Sequence, residues 1–435
     1  MSNAEFGSLT FELFLLLATA HLVGWLFGRL RQPPVVGEIL AGILLGPSIL
    51  GYFAPAISKA IFASGVGAAS QSSHETVIGF LYNLGLLLLM FVSGAEARGI
   101  FTPQDRREVA WLGIVGTGLP FLVVMAGHKW IPLDALMGPA GQRVSLLLVV
   151  GIAVAVTSIP VISRILYDLG VLHTRFARLV LGVAILEDIA LWAVLAVATA
   201  LAGSGGMSGR GIGMHVLATL AYFWIGLKVA PPMLRRLSRV RWNVVAHTSP
   251  VGYVVVILLA YVGLASLFDV SLVFAAFLAG FGILADAPHL CDAIDTLRDF
   301  SFAVFIPLYF AVVGFRLDLT KTFSLTILAT FLIAGCALKF FTVGLGARLA
   351  GFAWLDAVNL AVATNARGGP GIVLASVAYD AGIINGAFFT TLVLVAILTS
   401  QAAGVWLKYV LGKGWNLLSE QRAKPRAVPA GSLIT

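Results

Sequence analysis

Stretches of about twenty apolar residues recur along the whole chain, and that repetition leaves little choice of architecture. A helix rising 1.5 Å per residue needs roughly 20 residues to cross about 30 Å of hydrocarbon. Inside hydrocarbon its backbone N–H and C=O groups must also be satisfied within the segment. Thirteen such stretches can be marked, over residues 9–30, 34–54, 77–97, 108–128, 144–168, 175–201, 211–236, 249–268, 270–288, 299–316, 322–349, 354–380 and 383–411. At 59% hydrophobic residues, 11% charged residues and a mean hydropathy of +0.98, the 435 residues hold more apolar surface than a soluble core could enclose. The expected fold class is an all-α integral membrane protein of about 13 transmembrane helices.

Loops on the cytoplasmic side are enriched in Lys and Arg, which orients the chain. With the N-terminus outside, most of the 28 Lys and Arg fall inside, among them Arg29, Arg31, Arg98, Arg106, Arg107, Arg235, Arg236, Arg239, Arg241 and the tail from Lys408 to Arg426. Lys59, Lys129, Arg143, Arg210, Arg316 and Lys321 fall outside, while Lys228, Lys339 and Arg367 stay within spans. The predicted localisation is the cell (cytoplasmic, inner) membrane, with the C-terminus cytoplasmic. The net charge of +8 then reads as loop bias and calls for no nucleic-acid partner. The first eight residues carry no Lys or Arg, so the first span is expected to remain as an anchor rather than act as a signal peptide. Cys291 and Cys336 lie far apart and suggest neither a disulfide framework nor a metal motif. No cofactor, resident metal or enzyme activity is expected.

Glu187 and Asp188 adjoin in the middle of VAILEDIALWAVLAVATA, with no other charge from Leu179 to Gly209. One acidic group at a helix centre costs roughly 2 to 3 kcal/mol or more in a bilayer, so such residues are usually functional and compensated. Lys339 supplies the opposite sign at similar depth. Consecutive helix residues point about 100° apart, so one acid should face an ion and the other a partner. Protons and cations would then compete for one carboxylate. Oxygen ligands such as Asp188, Thr157 and Ser158 suit an alkali cation rather than a transition metal.

Two spans look broken near their middles. Pro160 removes a backbone donor just after Thr157 and Ser158, and Gly368, Gly369, Pro370 and Gly371 interrupt the twelfth span beside Asn365 and Arg367. Unwound backbone at membrane depth is tolerated where it is buried or lines a wet cavity, and interrupted helices at matching positions mark secondary transporters. LLLLMFVSGAEA in the third span echoes IPLYFAVVGFRLD in the tenth, and the breaks fall in the fifth and twelfth. Both offsets are seven spans, which predicts an inverted repeat with two crossed broken helices. Blander readings exist for the same residues. Glu187, Asp188 and Lys339 could form a purely structural ion pair, the Thr157 and Ser158 hydroxyls commonly bond backbone carbonyls, and Arg367 could simply neutralise helix ends. Glu38, Glu96 and Asp318 read as interface or loop residues, and His21 with the Trp and Phe side chains as packing or belt residues.

Four stretches, GEILAGILLGPSILG (37–51), TSIPVISRILYDLGVLHTRFARLVLGVAILEDIALW (157–192), IPLYFAVVGFRLDL (306–319) and LKFFTVGLGARLAG with NARGGPGIVLASVA (338–378), together resemble the monovalent cation:proton antiporter-2 family. The resemblance implies the sodium/proton antiporter fold, in which a mobile core domain holds the crossed helices beside a panel-like dimerisation domain. Residues 1–428 then form a single transmembrane transporter unit. The core would include about 77–201 and 299–380, the remaining helices the panel, and 429–435 a short tail, with no soluble regulatory domain. By resemblance Asp188 is the ion carrier, Glu187 the coupled acid and Lys339 its partner. Pro160, Asn365, Arg367, Gly368, Gly369 and Pro370 form the crossing.

The implied activity is exchange of Na+, with Li+ as a further candidate ion, for H+ by a homodimer in the bilayer. K+/H+ exchange by the same site is the alternative, and a non-transporting membrane sensor or scaffold is the reading from another class. An organic-anion symporter leaning on Arg367 ranks lowest. Two acids rather than one favour an electrogenic ratio. Two departures from the family pattern stand out: Gly369 and Pro370 follow Gly368 where many members place an acid, and Glu187 is longer by one methylene than the usual Asp.

Overall fold

The computed structural model describes residues 2–30, 32–62, 68–99, 105–203, 209–240, 243–268, 270–283 and 290–419. Arg31, Arg241 and the tail 420–435, all used in the orientation argument, lie outside the described residues. Among the described residues the regular secondary structure is helical apart from an isolated bridge between Met137 and Ile384. Among the described residues ten helices are long and apolar enough to cross a membrane: Asn3–Arg29 (span 1), Pro34–Phe53 (2), His74–Glu96 (3), Arg106–Ala126 (4), Arg175–Gly203 (6), Leu217–Ser238 (7), Pro250–Leu267 (8), Cys291–Phe315 (10), Leu325–Leu349 (11) and Gly386–Gly412 (13). Three shorter apolar helices, Arg143–Ala155, Leu272–Ile283 and Trp354–Ala363, begin or form spans 5, 9 and 12. The thirteen stretches marked by hydropathy thus reappear in order. Large apolar side chains such as Phe11, Phe14, Leu22, Leu259, Ile333 and Phe341 point outward, as lipid-facing residues do.

The two expected breaks are present. Span 5 stops at Ala155, runs unwound through Val156 and Thr157, and restarts as Ile159–Asp168, with Pro160 in the first turn, where a missing N–H costs nothing. Span 12 stops at Ala363 and restarts as Gly368–Asp380. Three further spans carry a π-turn, at Ile114–Gly118, Ile225–Val229 and Ser301–Phe305. Each is followed at once by a helix whose first turn holds a proline, namely Pro120, Pro231 and Pro307. A proline cannot donate to the carbonyl four residues back and its ring crowds it, so the ladder accommodates one extra residue.

Packing sorts the spans into two bundles. Spans 1, 2, 3, 8, 9 and 10 contact one another, as do spans 4, 5, 6, 11, 12 and 13, while span 7 lies against spans 6 and 9. This differs from the expected division, which put 77–97 and 299–316 in the core and span 13 in the panel. The reason is backbone proximity. A Cβ on Gly42 of span 2 would stand 1.9 Å from the Ala311 carbonyl oxygen of span 10, and one on Gly314 2.0 Å from that of Ile39. Between spans 3 and 9 the pattern recurs: Gly280 would meet the Phe91 oxygen at 1.9 Å and Gly94 that of Phe277 at 2.1 Å. Ile39 and Gly42 are spaced as Phe277 and Gly280 are, and Phe91 and Gly94 as Ala311 and Gly314 are. The two contacts therefore map onto each other with spans 2 and 9, and 3 and 10, as counterparts, seven spans apart.

Side chains join the bundles at one end. Arg316 of span 10 pairs with Asp380 of span 12 at 2.9 Å, the Tyr82 hydroxyl of span 3 donates to the same carboxylate at 3.1 Å, and Tyr309 donates to Ser376 at 3.2 Å. The Arg316 guanidinium also lies 4.2 Å from the Tyr82 ring centroid. At the same end the loops before span 5 and after span 12 are tied by backbone bonds from Gly138 to Ile383, Ala140 to Gly382 and Asn385 to Leu136.

Candidate ion site at the crossed helices

The two breaks meet. The Ser158 amide donates to the Ala366 carbonyl at 2.7 Å, and the Thr157 hydroxyl to that of Thr364 at 2.5 Å. Gly368 lies so close that a Cβ would stand 2.4 Å from Val161 Cγ2 and 2.6 Å from Ser158 Oγ. Its φ of +37° is a second reason for glycine, since L side chains rarely adopt it. Gly369, Pro370 and Gly371 continue into the buried second half of span 12.

Each half-helix leaves unsatisfied groups at its broken end, and cations serve one of them. The last carbonyls of Arg143–Ala155 carry the negative end of the helix dipole. Lys339 donates to Ala155 O, and Arg367 to Ala153 O at 2.9 Å and Val154 O at 3.4 Å. Arg367 also reaches Cys336 Sγ at 3.1 Å, and its backbone N–H the Thr399 hydroxyl at 3.3 Å. Asn365 donates through Nδ2 to Cys336 O and Ala361 O at 3.3 Å, while its buried Oδ1 has no partner. At the opposite polarity, Ser158 caps Ile159–Asp168 by accepting from Val161 N at 3.3 Å.

The neighbouring acids divide as their 100° separation demands. Glu187, 1% exposed, lies 3.1 Å from Lys339 Nζ through both oxygens, and the ammonium also donates to Thr157 Oγ1 at 2.8 Å. Lys339 is wholly buried. Asp188, also 0% exposed, has no hydrogen-bond partner on either oxygen. The buried Trp192 indole N–H, one turn further along the same helix, lies near this carboxylate but short of hydrogen-bond geometry. In this conformation the Asp188 carboxylate is sealed from solvent.

The site residues expected from sequence therefore split into three roles. Glu187 and Lys339 are brought together. Asp188 adjoins them with both oxygens open. Thr157 and Ser158, expected beside Asp188 as ligands, are engaged at the crossing: the Thr157 hydroxyl donates to Thr364 and accepts from Lys339, and neither hydroxyl bonds Asp188. Sequence reasoning missed Thr117, whose hydroxyl donates to Glu187 Oε1 at 2.5 Å. The signal for it is slight, a polar residue three positions before Pro120 in an apolar span. Among the described residues no cluster of three or more His, Cys, Asp or Glu could hold a resident metal.

Residues 17–413 match the family described as sodium/hydrogen exchanger, transmembrane. The chain belongs to that family. The chain is 28% identical over 398 residues to the Na(+)/H(+) antiporter NhaS4 of Synechocystis sp., covering 89% of this chain and 93% of that one. It is 28% identical over 403 residues to the K(+)/H(+) antiporter 1 of Saccharomyces cerevisiae, covering 90% of this chain and 45% of the yeast protein. It is 25% identical to the Na(+)/H(+)-K(+) antiporter GerN of Bacillus cereus, covering 92% and 96%. The chain thus spans nearly all of the two bacterial relatives and about half the length of the yeast one. The sodium proton antiporter MjNhaP1 of Methanocaldococcus jannaschii at pH 8 shares its fold, with a TM-score of 0.59 at 15% identity over 94% of this chain and 99% of that one. The resemblance carried by the four stretches and the all-helical fold are both borne out.

Proposed function

We propose that the chain is a secondary active antiporter that exchanges Na+, and Li+ as its smaller analogue, for H+ across the cell membrane. The single observation that carries this reading is Asp188: a fully buried carboxylate with two unpartnered oxygens, next to an acid already matched by Lys339. A buried carboxylate cannot stay both charged and unaccompanied. It takes either a proton or a cation, and one excludes the other. Competition for that position, combined with access from one face at a time, yields exchange.

Alternating access arises from the division into bundles. The second bundle holds the crossing and Asp188, so its displacement against the first would carry the carboxylate from one face to the other. We assign it the role of mobile core and the first bundle, spans 1, 2, 3, 8, 9 and 10, the role of panel and homodimer surface. An N-terminus outside and a cytoplasmic C-terminus satisfy the loop charges. Two acids and one lysine, Glu187, Asp188 and Lys339, give the site a charge that differs between proton-loaded and cation-loaded forms, in favour of an electrogenic ratio.

Purified protein in liposomes, challenged in turn with Li+, Na+, K+ and Rb+ against a preset pH gradient, tests the reading. Na+ and Li+ should dissipate the gradient and Asp188→Asn should not, because an amide neither releases a proton nor balances a cation. A parent and an Asp188→Asn protein that both leave the gradient untouched would instead mark a sensor or scaffold, and an Asp188→Asn protein that exchanges as well as the parent would remove Asp188 as the carrier. K+ as the preferred ion is the second reading, favoured by the equal identity to the yeast K(+)/H(+) antiporter. The order in which the four salts act separates the two. Exchange indifferent to a clamped voltage would remove the electrogenic ratio.

A further inference from the structure

Span 4 reaches the acid pair through its one irregular turn, a role beyond crossing the membrane. Pro120 cannot donate to Gly116 and its ring crowds that carbonyl, and the ladder widens to a π-turn over Ile114–Gly118. One extra residue rotates the remainder of the span by about 100° relative to a regular helix. Thr117 sits inside that turn, 7% exposed, with its hydroxyl on Glu187. The turn is also pressed against span 11: a Cβ on Gly116 would stand 2.8 Å from Val343 Cγ2, one helical turn beyond Lys339. Thr117 is thus held from two sides, and its direction is a consequence of Pro120 and Gly116 rather than of its own preference.

Glu187 has two kinds of donor. Lys339 approaches both oxygens at 3.1 Å, but its three N–H bonds face four acceptors, since Thr157 Oγ1 at 2.8 Å and the Ala155 carbonyl also claim it. The Thr117 hydroxyl approaches one oxygen at 2.5 Å and belongs to a helix that contributes nothing else to the network. A lysine shared among four acceptors can shift toward Thr157 and the helix end; a hydroxyl on a wedged turn cannot do the same.

We propose that Thr117 is a positioning residue for exchange: it fixes the Glu187 carboxylate while Lys339 moves, and so sets how strongly a cation is held at the neighbouring Asp188. This inference rests on the antiport reading. It identifies Thr117 as a determinant of cation affinity outside the span that carries the acids.

The test uses the full-length protein in liposomes with Na+ as the probe, comparing the parent, Thr117→Val, Thr117→Ser and Glu187→Gln/Thr117→Val with Glu187→Gln alone. Valine keeps the branched shape and loses the hydroxyl. A hydrogen bond to a charged group is lost, so the apparent KM for Na+ should rise about tenfold or more while kcat changes less. Serine should restore the parent KM, and valine should add little once Glu187 is already glutamine. If valine prevents folding, Thr117→Ala reads the same loss. An unchanged KM in the valine or alanine variant, or a serine variant as impaired as valine, overturns the assignment, as does an equal effect of valine with and without Glu187. A parent protein that exchanges while Asp188→Asn does not keeps the antiport reading even when the Thr117 inference fails. A parent inert toward all four alkali cations removes both.

Discussion

Lys339 and Glu187 show how one charge decides the meaning of another. Their ion pair is fully buried, and breaking such a pair by removing one partner costs on the order of 3 to 5 kcal/mol, because a lone charge remains in a medium that cannot solvate it. Lys339→Met should therefore lower the thermal stability of detergent-solubilised protein by about that amount. Lys339→Met combined with Glu187→Gln should recover most of it, as read from unfolding midpoints, while Asp188→Asn should cost far less. Equal losses in the single and double variants would mean that the pair is not coupled. Glu187, Asp188 and Lys339 were legible because charges are conspicuous in apolar text. The carbonyls of Ala153, Val154 and Ala155 were not, since a backbone acceptor has no letter of its own. Thr117 was hidden for a different reason: its orientation depends on a π-turn, and periodicity assumes a regular helix.

The breaks matter more than the helices they interrupt. Gly368 combines a positive φ with a 2.4 Å approach to Val161, so Gly368→Ala adds both backbone strain and a clash. A left-handed conformation alone costs roughly 1 to 3 kcal/mol for a residue with a side chain. Gly368→Ala should fold poorly or lose exchange. Gly344, which has open space around it, should accept alanine with little change in expression level or melting temperature. Both breaks could be read from Pro160 and from the glycine run, because those residues forbid regular hydrogen bonding. The echo between spans 3 and 10 was readable around Gly94 and Gly314. Its companion, LAG at 40–42 against LAG at 278–280, was too short to notice without the contact it makes.

The two bundles pack on each other where spans 5 and 6 meet spans 3 and 9, and polar side chains tie them at the end where Arg316 and Tyr82 reach Asp380 and Tyr309 reaches Ser376. Arg316 and Asp380 are each more than a third exposed, so their pairing contributes at most about 1 kcal/mol. A weak tie suits the proposed displacement of one bundle against the other. Asp380→Asn should raise hydrogen–deuterium exchange across Gly368–Asp380 with little change in melting temperature; protection equal to the parent would show that the tie carries no closure. Membrane class, span number and order were all written in the hydropathy of the sequence. Which spans belong together was not, because bundle membership depends on pairings between segments far apart in the chain, and apolar spans look alike. That is why 77–97 and 299–316 were expected in one bundle and lie in the other.

The glycines at 42, 94, 280 and 314 carry a mechanical corollary. Where backbone rests on backbone there is no cushion of rotating side chains to absorb sliding, so that half of the molecule is suited to the stator's part in the proposed mechanism. On the antiport reading proposed above, the stroke that lifts an ion across the bilayer belongs to the half built around the crossing, and a single added carbon at those four positions would force the frame apart without altering which ion it serves.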